Sequence, residues 1–140
     1  PEGSAFALAR ARTAGLPAVL DADRPVPPDG ALLRSASHVA FSADGLADYA
    51  GDGDPVRALE RVAPTLDAWS CVTVGVDGVW TWDPRRAALE HHPSFRVEVV
   101  DTLGAGDVWH GAFALALAEG RAETEAVRFA QAAAALKVQR

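Results

Sequence analysis

The sequence predicts an α/β fold: a mostly parallel β-sheet that carries a local β-hairpin and is covered by helices. The first observation behind this prediction is that short, apolar, strand-like runs alternate with longer stretches of helical periodicity. The second is the dipeptide Asp77-Gly78 between two β-rich runs, which is typical of a hairpin turn. Because 49% of the 140 residues are hydrophobic, the chain can also bury a core of its own.

The first half of the chain is predicted to contain four helices and two strands. Helical periodicity covers 2–14, 31–36, a short stretch from Asp44, and 56–66, and apolar strand-like runs cover 17–20 and 38–41. Gly15 fits the end of the first helix, because glycine readily adopts the left-handed conformation that often follows a helix. The proline- and glycine-containing segment 25–30 predicts a turn.

The second half is predicted to contain three strands and two long helices. The predicted strands are 70–76, 79–82 and 95–100, and the predicted helices run from the glycine loop at 104–106 to Glu119 and from 124 to the end. Since Asp77-Gly78 separates the first two of these strands, we expect the second to fold back antiparallel on the first. Trp80 and Trp82 would then share one side of the hairpin and pack there, rather than form a stacking platform for nucleic acid.

Composition excludes several classes of protein. The net charge of -6, with 13 basic residues scattered along the chain, argues against a nucleic-acid partner. No apolar run approaches the ~20 residues of a membrane-spanning helix and no signal peptide opens the chain, so we expect a cytoplasmic protein without a membrane partner. The single cysteine, Cys71, lies in an apolar run and is expected to be a buried thiol. Because the chain starts at Pro1 and contains no Met, we expect it to be a piece of a longer protein.

The segment that can carry chemistry joins a strand to a helix through a glycine loop, between Val100 and Phe113. The backbone N–H groups at the start of a helix have no partner within the helix, and together with the helix dipole they attract anions. Gly104 and Gly106 allow a close approach to the backbone, and Asp107 would place a carboxylate beside the bound anion. From these residues alone, an equally good interpretation is that Asp107 only caps the helix.

The run Asp101-Thr-Leu-Gly-Ala-Gly-Asp107 resembles the second signature of the ribokinase (PfkB) family of carbohydrate kinases. Segment 72–75 with the following Asp-Gly resembles a nucleotide-contacting segment of the family, and 128–135 resembles the helix that flanks the adenine. The resemblance implies a ribokinase-like three-layer α/β/α fold. Residues 1–140 would form the C-terminal nucleotide-binding part of a single ribokinase-like domain, with the N-terminal half and the lid over the sugar missing.

The resemblance also implies a reaction. The protein would be an ATP-dependent kinase that transfers the γ-phosphoryl group of MgATP to a hydroxyl of a small-molecule sugar. Asp107 would accept the proton of that hydroxyl, and Gly104, Ala105 and Gly106 would form an anion hole. The alternative is a nucleotide-binding remnant of a sugar kinase that no longer catalyses. The 140-residue chain alone is expected to have little or no kinase activity.

The residues that would bind the nucleotide follow from the same resemblance. Thr73, Gly75 and Gly78 would line it, although ordinary strand and hairpin positions explain these residues equally well. Gln131 would lie near the adenine, and the alternative for this residue is a solvated position on a helix face.

Two metal ions are implied besides ATP. Asp101 and Thr102 match positions that in some relatives help to bind a monovalent cation such as K⁺. The Asn-x-x-Glu motif that organises Mg²⁺ in the family is replaced here by Ser42-Ala-Asp-Gly45, which leaves Asp44 as a weak substitute.

Three further expectations concern the histidine pair, the branch of the family and the oligomeric state. His91-His92 is interpreted as part of a surface loop and not as a metal site, because adjacent side chains on an irregular stretch point apart. The run Leu20-Asp-Ala-Asp23, with Ser42 in place of Asn, is similar to the branch of the family that includes sulfofructose kinases, with ketohexokinases nearby. Since the lid often joins subunits in this family, the resemblance allows a homodimer of the intact protein.

Overall fold

The computed structural model describes residues 2–23, 26 and 30–140. Within them the chain forms six α-helices: α1 (Glu2–Thr13), α2 (Ala31–Ser35), α3 (Ala43–Ala50), α4 (Pro55–Val62), α5 (Ala105–Ala118) and α6 (Glu123–Lys137). The same residues form five strands: β1 (Val19–Ala22), β2 (His38–Ser42), β3 (Trp69–Thr73), β4 (Val79–Asp83) and β5 (Ala88–His92). Two 3-10 turns, Ala63–Thr65 and Gly75–Asp77, follow α4 and precede β4.

The five strands form one open, mixed sheet in the order β1-β2-β3-β4-β5. β1 pairs with β2, and β2 with β3, in parallel, so that Leu20 lies opposite Val39 and Phe41 opposite Val72. Parallel neighbours need a connection of about a dozen residues or more. The links that lead into β4 and β5 are shorter than that, so these two strands are antiparallel to their neighbours. The predicted α/β class with a local hairpin is confirmed.

Burial explains why β2 and β3 occupy the parallel part of the sheet. Val39 and Phe41 in β2 and Val72 in β3 are fully buried, and leucines from α2, α3 and α4 join the same core. Continuous apolar runs of this kind are typical of parallel strands that are buried on both faces. The predicted burial of Cys71 is confirmed, and this burial raises the pKa of its thiol.

A close contact fixes the start of α3 against the end of β1. The hydroxyl oxygen of Ser42 caps α3 by accepting a hydrogen bond (3.0 Å) from the N–H of Gly45. A β-carbon at position 45 would collide with the carbonyl oxygen of Ala22. Only a glycine therefore allows this helix and this strand to approach so closely.

Two element boundaries differ from the prediction. β1 covers Val19–Ala22 instead of 17–20, because Pro17 has no N–H for the ladder and the pairing of Ala22 with Phe41 keeps the later residues in the strand. The predicted helix 56–66 ends early as α4, since Pro64 cannot donate the next helical hydrogen bond and a 3-10 turn follows. The predicted turn at 25–30 falls largely on residues outside those described.

The largest difference concerns the segment after β4. β5 forms where no strand was predicted, and the prediction of a strand at 95–100 is wrong, because that segment has no regular structure. The residues of β5 include Glu and Ala, which have weak strand propensity, so the pairing with β4 decides their conformation. In 95–100, the N–H of Val100 instead donates to the carbonyl oxygen of Val138 (2.7 Å), just after α6.

His91 and His92 lie in β5 and not in the predicted surface loop. Since successive strand residues face opposite sides, His92 is buried whereas His91 is exposed. His91 stacks on Trp80 with the ring centroids 4.5 Å apart, and both Trp80 and Trp82 pack against the core as predicted. Among the described residues, no three His, Cys, Asp or Glu side chains come together in a way that could hold a metal ion.

The hairpin that begins after β3 is confirmed, but its turn is longer than predicted. β3 ends at Thr73, and the 3-10 turn Gly75–Asp77 follows instead of a strand to Val76 and a two-residue turn. Gly78 has a φ of 98°, and a β-carbon there would collide with the carbonyl oxygen of His92. The backbone conformation therefore requires glycine at this position.

The chain divides into two compact units. The first contains residues up to 74 and 80–91, and so includes α1 to α4 and most of the sheet. The second contains 75–79 and 92–140, in which α5 and α6 pack against each other. In the part of the chain that the structure describes, no helix combines the length and apolar character needed to cross a membrane.

Candidate functional site

The predicted glycine loop is a tight turn held by its own hydrogen bonds. Oδ1 of Asp101 accepts a hydrogen bond from the N–H of Leu103 (2.9 Å). The carbonyl oxygen of Thr102 accepts one from the N–H of Ala105 (3.0 Å). Gly104, with a φ of 74°, takes the left-handed conformation that leads the chain into α5. The predicted arrangement of a small-residue loop before a helix is therefore present.

The first turn of α5 contains backbone N–H groups that no backbone carbonyl oxygen uses among the described residues. Among the described residues, the N–H groups of Gly104, Gly106 and Asp107 donate no backbone hydrogen bond outside the helix pattern. The N–H of Ala105, which was predicted to line the anion hole, is already used by the carbonyl oxygen of Thr102. The amides available to an anion are therefore those on either side of Ala105.

The carboxylate of Asp107 is exposed beside these amides. The residue that caps α5 is Gly104 and Asp107 lies inside the first turn, so the alternative in which Asp107 caps the helix is wrong. Oδ2 of Asp107 lies 3.9 Å from the position of a β-carbon built on Gly104. A β-carbon on Gly106 would meet no atom within 4 Å, which leaves the space above the loop open to a ligand.

Two side chains that follow Asp107 make contacts within α5. Trp109 is buried and stacks on Phe113, with the ring centroids 5.0 Å apart. Nδ1 of His110 lies 2.8 Å from the carbonyl oxygen of Gly106. Sequence reasoning missed His110, although its spacing of four residues from Gly106 placed the two on one face of a helix.

A cleft of about 390 Å³ lies in the second unit, between the turn before β4 and the segment after β5. It is lined by Val76, Asp77, Pro93, Ser94, Phe95, Arg96 and Val97. Its volume falls in the range of small-molecule sites, and it combines apolar surface with one guanidinium group. The sequence does not reveal this cleft, because the pattern of 95–100 predicts a strand.

Two of the predicted nucleotide residues, Gly75 and Gly78, flank the lining residues of this cleft along the chain. The carbonyl oxygen of Gly75 accepts a hydrogen bond from the hydroxyl of Ser94 (3.0 Å), and a β-carbon at Gly75 would meet no atom within 4 Å. Gly75 therefore leaves room for a ligand. The glycine at position 78, in contrast, is required by the backbone conformation of the hairpin turn.

The other two predicted nucleotide residues have internal hydrogen bonds. Gln131 is 6% exposed, and its Nε2 donates to the carbonyl oxygen of His92 (2.8 Å), so the alternative of a solvated helix face is wrong. The hydroxyl of Thr73 donates to the carbonyl oxygen of Phe41 (3.4 Å) at the end of β3. A role for either residue in nucleotide binding stays a prediction.

The ammonium group of Lys137 binds Asp101, one of the two residues predicted to hold a monovalent cation. Nζ lies 2.9 Å from Oδ2 and 3.1 Å from the carbonyl oxygen of Asp101. The hydrogen bond from the N–H of Leu103 and, after it, the contact with Lys137 lower the pKa of Asp101. A K⁺ ion on the same oxygens would be repelled by the ammonium group, so Asp101 in this conformation does not fit a monovalent cation. A role for Thr102 in cation binding stays a prediction.

The residues that replace the Asn-x-x-Glu motif offer little to Mg²⁺. The hydroxyl of Ser42 is used as the cap of α3, and Asp44 is an exposed carboxylate in the first turn of that helix. Mg²⁺ is often held by one or two carboxylates together with substrate phosphates. Among the described residues, a role for Asp44 in holding Mg²⁺ stays a prediction.

An α/β fold with a glycine turn at the start of a helix is typical of proteins that bind phosphate-bearing ligands. Residues 4–140 match the family model described as pfkB family carbohydrate kinase, and the chain belongs to this family. The family resemblance seen in the signature at 101–107 is thereby confirmed.

Two curated ribokinases illustrate the relationship. Ribokinase from Arabidopsis thaliana is 30% identical over 150 aligned positions, which cover 99% of this chain and 38% of that protein. Ribokinase from Bacillus subtilis is 61% identical over 46 residues, which cover 33% of this chain and 16% of that protein. The chain thus spans less than half the length of these relatives.

Solved structures agree with this assignment. A protein from Agrobacterium tumefaciens with a provisional ribokinase name superposes with a TM-score of 0.93 at 36% identity, over 100% of this chain and 46% of that one. Arabidopsis thaliana ribokinase in complex with ribose and ATP superposes with a TM-score of 0.84 at 28% identity, over 98% of this chain and 46% of that one. The ribokinase-like fold is therefore confirmed.

Proposed function

We propose that this chain is the nucleotide-binding part of an ATP-dependent sugar kinase. The observation that carries the proposal is the exposed carboxylate of Asp107 beside the open first turn of α5, in a chain of the pfkB family. One structural neighbour was solved with ribose and ATP, and another, aminoimidazole riboside kinase from Salmonella enterica, with aminoimidazole riboside and an ATP analog. These neighbours support ATP as the phosphoryl donor and a sugar hydroxyl as the acceptor.

The amides of Gly104 and Gly106 would hold the phosphoryl group during its transfer. Their N–H groups would donate to its oxygens, and the dipole of α5 would stabilise the negative charge on them. Ala105 would contribute only a small side chain, because its own N–H is bonded to Thr102. In the bound nucleotide, Mg²⁺ would neutralise part of the phosphate charge.

Asp107 would act as the catalytic base. Its carboxylate would take the proton of the acceptor hydroxyl while the hydroxyl oxygen forms a bond to the γ-phosphorus and the bond from that phosphorus to ADP breaks. An exposed carboxylate suits this role, since it is accessible to the hydroxyl group of a bound sugar.

The cleft beside Gly75 would take the nucleoside part of ATP. Val76 is 83% exposed and Phe95 is 48% exposed, so both offer apolar surface to a purine ring. Arg96, which also lines the cleft, adds a positive charge for the phosphate side of the nucleotide.

The proposal is tested in the intact protein by a coupled assay of ADP release with a panel of pentoses, ketoses and nucleosides. Asp107→Asn is expected to lower turnover by about 100- to 10,000-fold, because the base is lost, while ATP binding measured by calorimetry changes little. Asp67→Asn, which removes an exposed carboxylate outside the loop, should leave turnover unchanged.

Near-normal turnover of Asp107→Asn would remove Asp107 from the role of base. If the intact protein binds ATP but phosphorylates none of the acceptors, the alternative of a nucleotide-binding remnant is favoured instead.

A further inference from the structure

Lys137 is the only lysine in a chain that contains 13 basic residues. It lies in the last turn of α6, where a cation also interacts favourably with the helix dipole. Its ammonium group donates to both the side-chain oxygen Oδ2 and the carbonyl oxygen of Asp101. One lysine therefore uses two of its three donors on a single residue of the glycine turn.

Backbone hydrogen bonds also join the end of α6 to the turn that precedes α5. The carbonyl oxygen of Val138 accepts hydrogen bonds from the N–H of Val100 (2.7 Å) and from the N–H of Asp101 (3.2 Å). The other side-chain oxygen of Asp101 accepts from the N–H of Leu103. A continuous set of hydrogen bonds thus runs from the end of α6 into the turn that precedes α5.

Stability alone does not account for this contact. The side chains of Lys137 and Asp101 are 25% and 53% exposed, and ion pairs at the surface contribute little to the free energy of folding. The chemistry of the ammonium group explains this contact better. An ammonium group is a compact point charge, whereas the guanidinium of the other basic residues is a planar fork. A lysine can therefore occupy a position that suits a small monovalent ion.

We propose that the ammonium group of Lys137 replaces a monovalent cation at Asp101 and fixes the turn that presents Gly104 and Gly106. The inference rests on the proposed kinase function for its effect on catalysis. Lys137 is a positioning residue, because it acts on the turn through Asp101. The kinase is accordingly independent of K⁺.

The first test needs no variant. Turnover of the intact protein is measured in potassium chloride and in tetramethylammonium chloride at the same ionic strength. The proposal expects equal turnover in the two salts. A requirement for K⁺ in the wild-type protein overturns it.

The second test removes the charge. Lys137→Met is expected to lower kcat by about ten-fold or more, with a smaller change in the KM for ATP, because the turn loses its position. Potassium or methylammonium chloride should restore much of the loss, whereas tetramethylammonium chloride should not. Arg10→Met is the matched control, since it removes an exposed cation from the last turn of α1. Undiminished turnover of Lys137→Met, or a loss that neither K⁺ nor methylammonium restores, overturns the proposal.

A third readout does not depend on catalysis. Amide hydrogen exchange at Leu103 should be faster in Lys137→Met than in the wild type, and K⁺ should slow it again, because the Leu103 N–H is bonded to Asp101. If the intact protein phosphorylates no acceptor, the proposed function fails, yet this exchange still decides the role of Lys137. Unchanged exchange at Leu103 in the variant overturns that role.

Discussion

Asp101 and Asp107 belong to one signature, yet their surroundings differ. The carboxylate of Asp101 accepts hydrogen bonds from Leu103 and Lys137, which lower its pKa and keep it ionised. The carboxylate of Asp107 is exposed beside a turn with open space above Gly106. One aspartate therefore holds the turn together, and the other is exposed to solvent.

Asp52, outside the candidate site, is a second carboxylate whose pKa is lowered by the hydrogen bonds that it accepts. Arg57 binds its carboxylate through two hydrogen bonds of 2.9 and 2.8 Å, and these, followed by the bond from the N–H of Asp54, lower the pKa of Asp52 to about 2. Since this pKa lies below the ~3.9 of an unfolded chain, the contact stabilises the fold above about pH 4. That contribution is lost as the pH falls towards 2.

At the scale of single residues, we predict that Arg57→Leu raises the pKa of Asp52 towards its ordinary value, because the main cause of the shift is removed. An NMR titration of the Asp52 carboxylate measures this. Arg61→Leu serves as the control, since Arg61 lies 3.6 Å from the same carboxylate and makes the smallest contribution to the shift. The interpretation is wrong if Arg57→Leu leaves the pKa of Asp52 where it is.

At the scale of elements, side-chain caps determine where two helices begin. Ser42 starts α3 directly after β2, and the carboxylate of Asp54 accepts from the N–H groups of Val56 and Arg57 to start α4. Such caps are local in the sequence. The close approach of Gly45 to Ala22 is different, since it joins residues that are distant along the chain and only the packed structure reveals it.

We predict that Gly45→Ala destabilises the protein by about 1–3 kcal/mol, because the added methyl group would overlap the carbonyl oxygen of Ala22 and force α3 away from β1. Chemical denaturation measures the free energy of unfolding. Gly111→Ala is the matched control within a helix: a β-carbon there meets no atom within 4 Å, so this change should stabilise by about 0.5–1 kcal/mol. Equal effects of the two substitutions would contradict the predicted overlap.

At the scale of the whole molecule, the chain corresponds to less than half of the ribokinases that it resembles. It includes the glycine turn and the cleft beside Gly75. Phosphoryl transfer also requires that the acceptor be held in line with the phosphoryl group and shielded from water.

We therefore predict that the 140-residue chain alone shows no sugar-dependent release of ADP in the coupled assay. The intact protein, run beside it with the same acceptors, is the positive control. Circular dichroism and ATP binding establish that the isolated chain is folded. Sugar-dependent turnover by the folded chain alone would show that it holds the acceptor without further residues.

Much of the fold could be predicted from the sequence, because its signals are local. The apolar runs of β2 and β3 and the periodicity of α1, α5 and α6 identify these elements within a few residues. β5 could not be found in this way, since its residues are held by pairing with β4 and not by their own propensity. The Val-rich segment 95–100 has the composition of a strand but forms none. The N–H of Val100 instead donates to the carbonyl oxygen of Val138, just after α6.

The candidate site, too, could be predicted from the sequence only in part. By itself the sequence determined the family, through the signature at 101–107, and the α/β class, because both depend on residue types at short, fixed spacing. Only the tertiary structure decided that Lys137 binds Asp101, that Gln131 is buried against His92, and that a cleft forms at 93–97. Each of these features brings together residues that are far apart along the chain. The pattern of residue types along the sequence does not show which distant groups the folded backbone brings together.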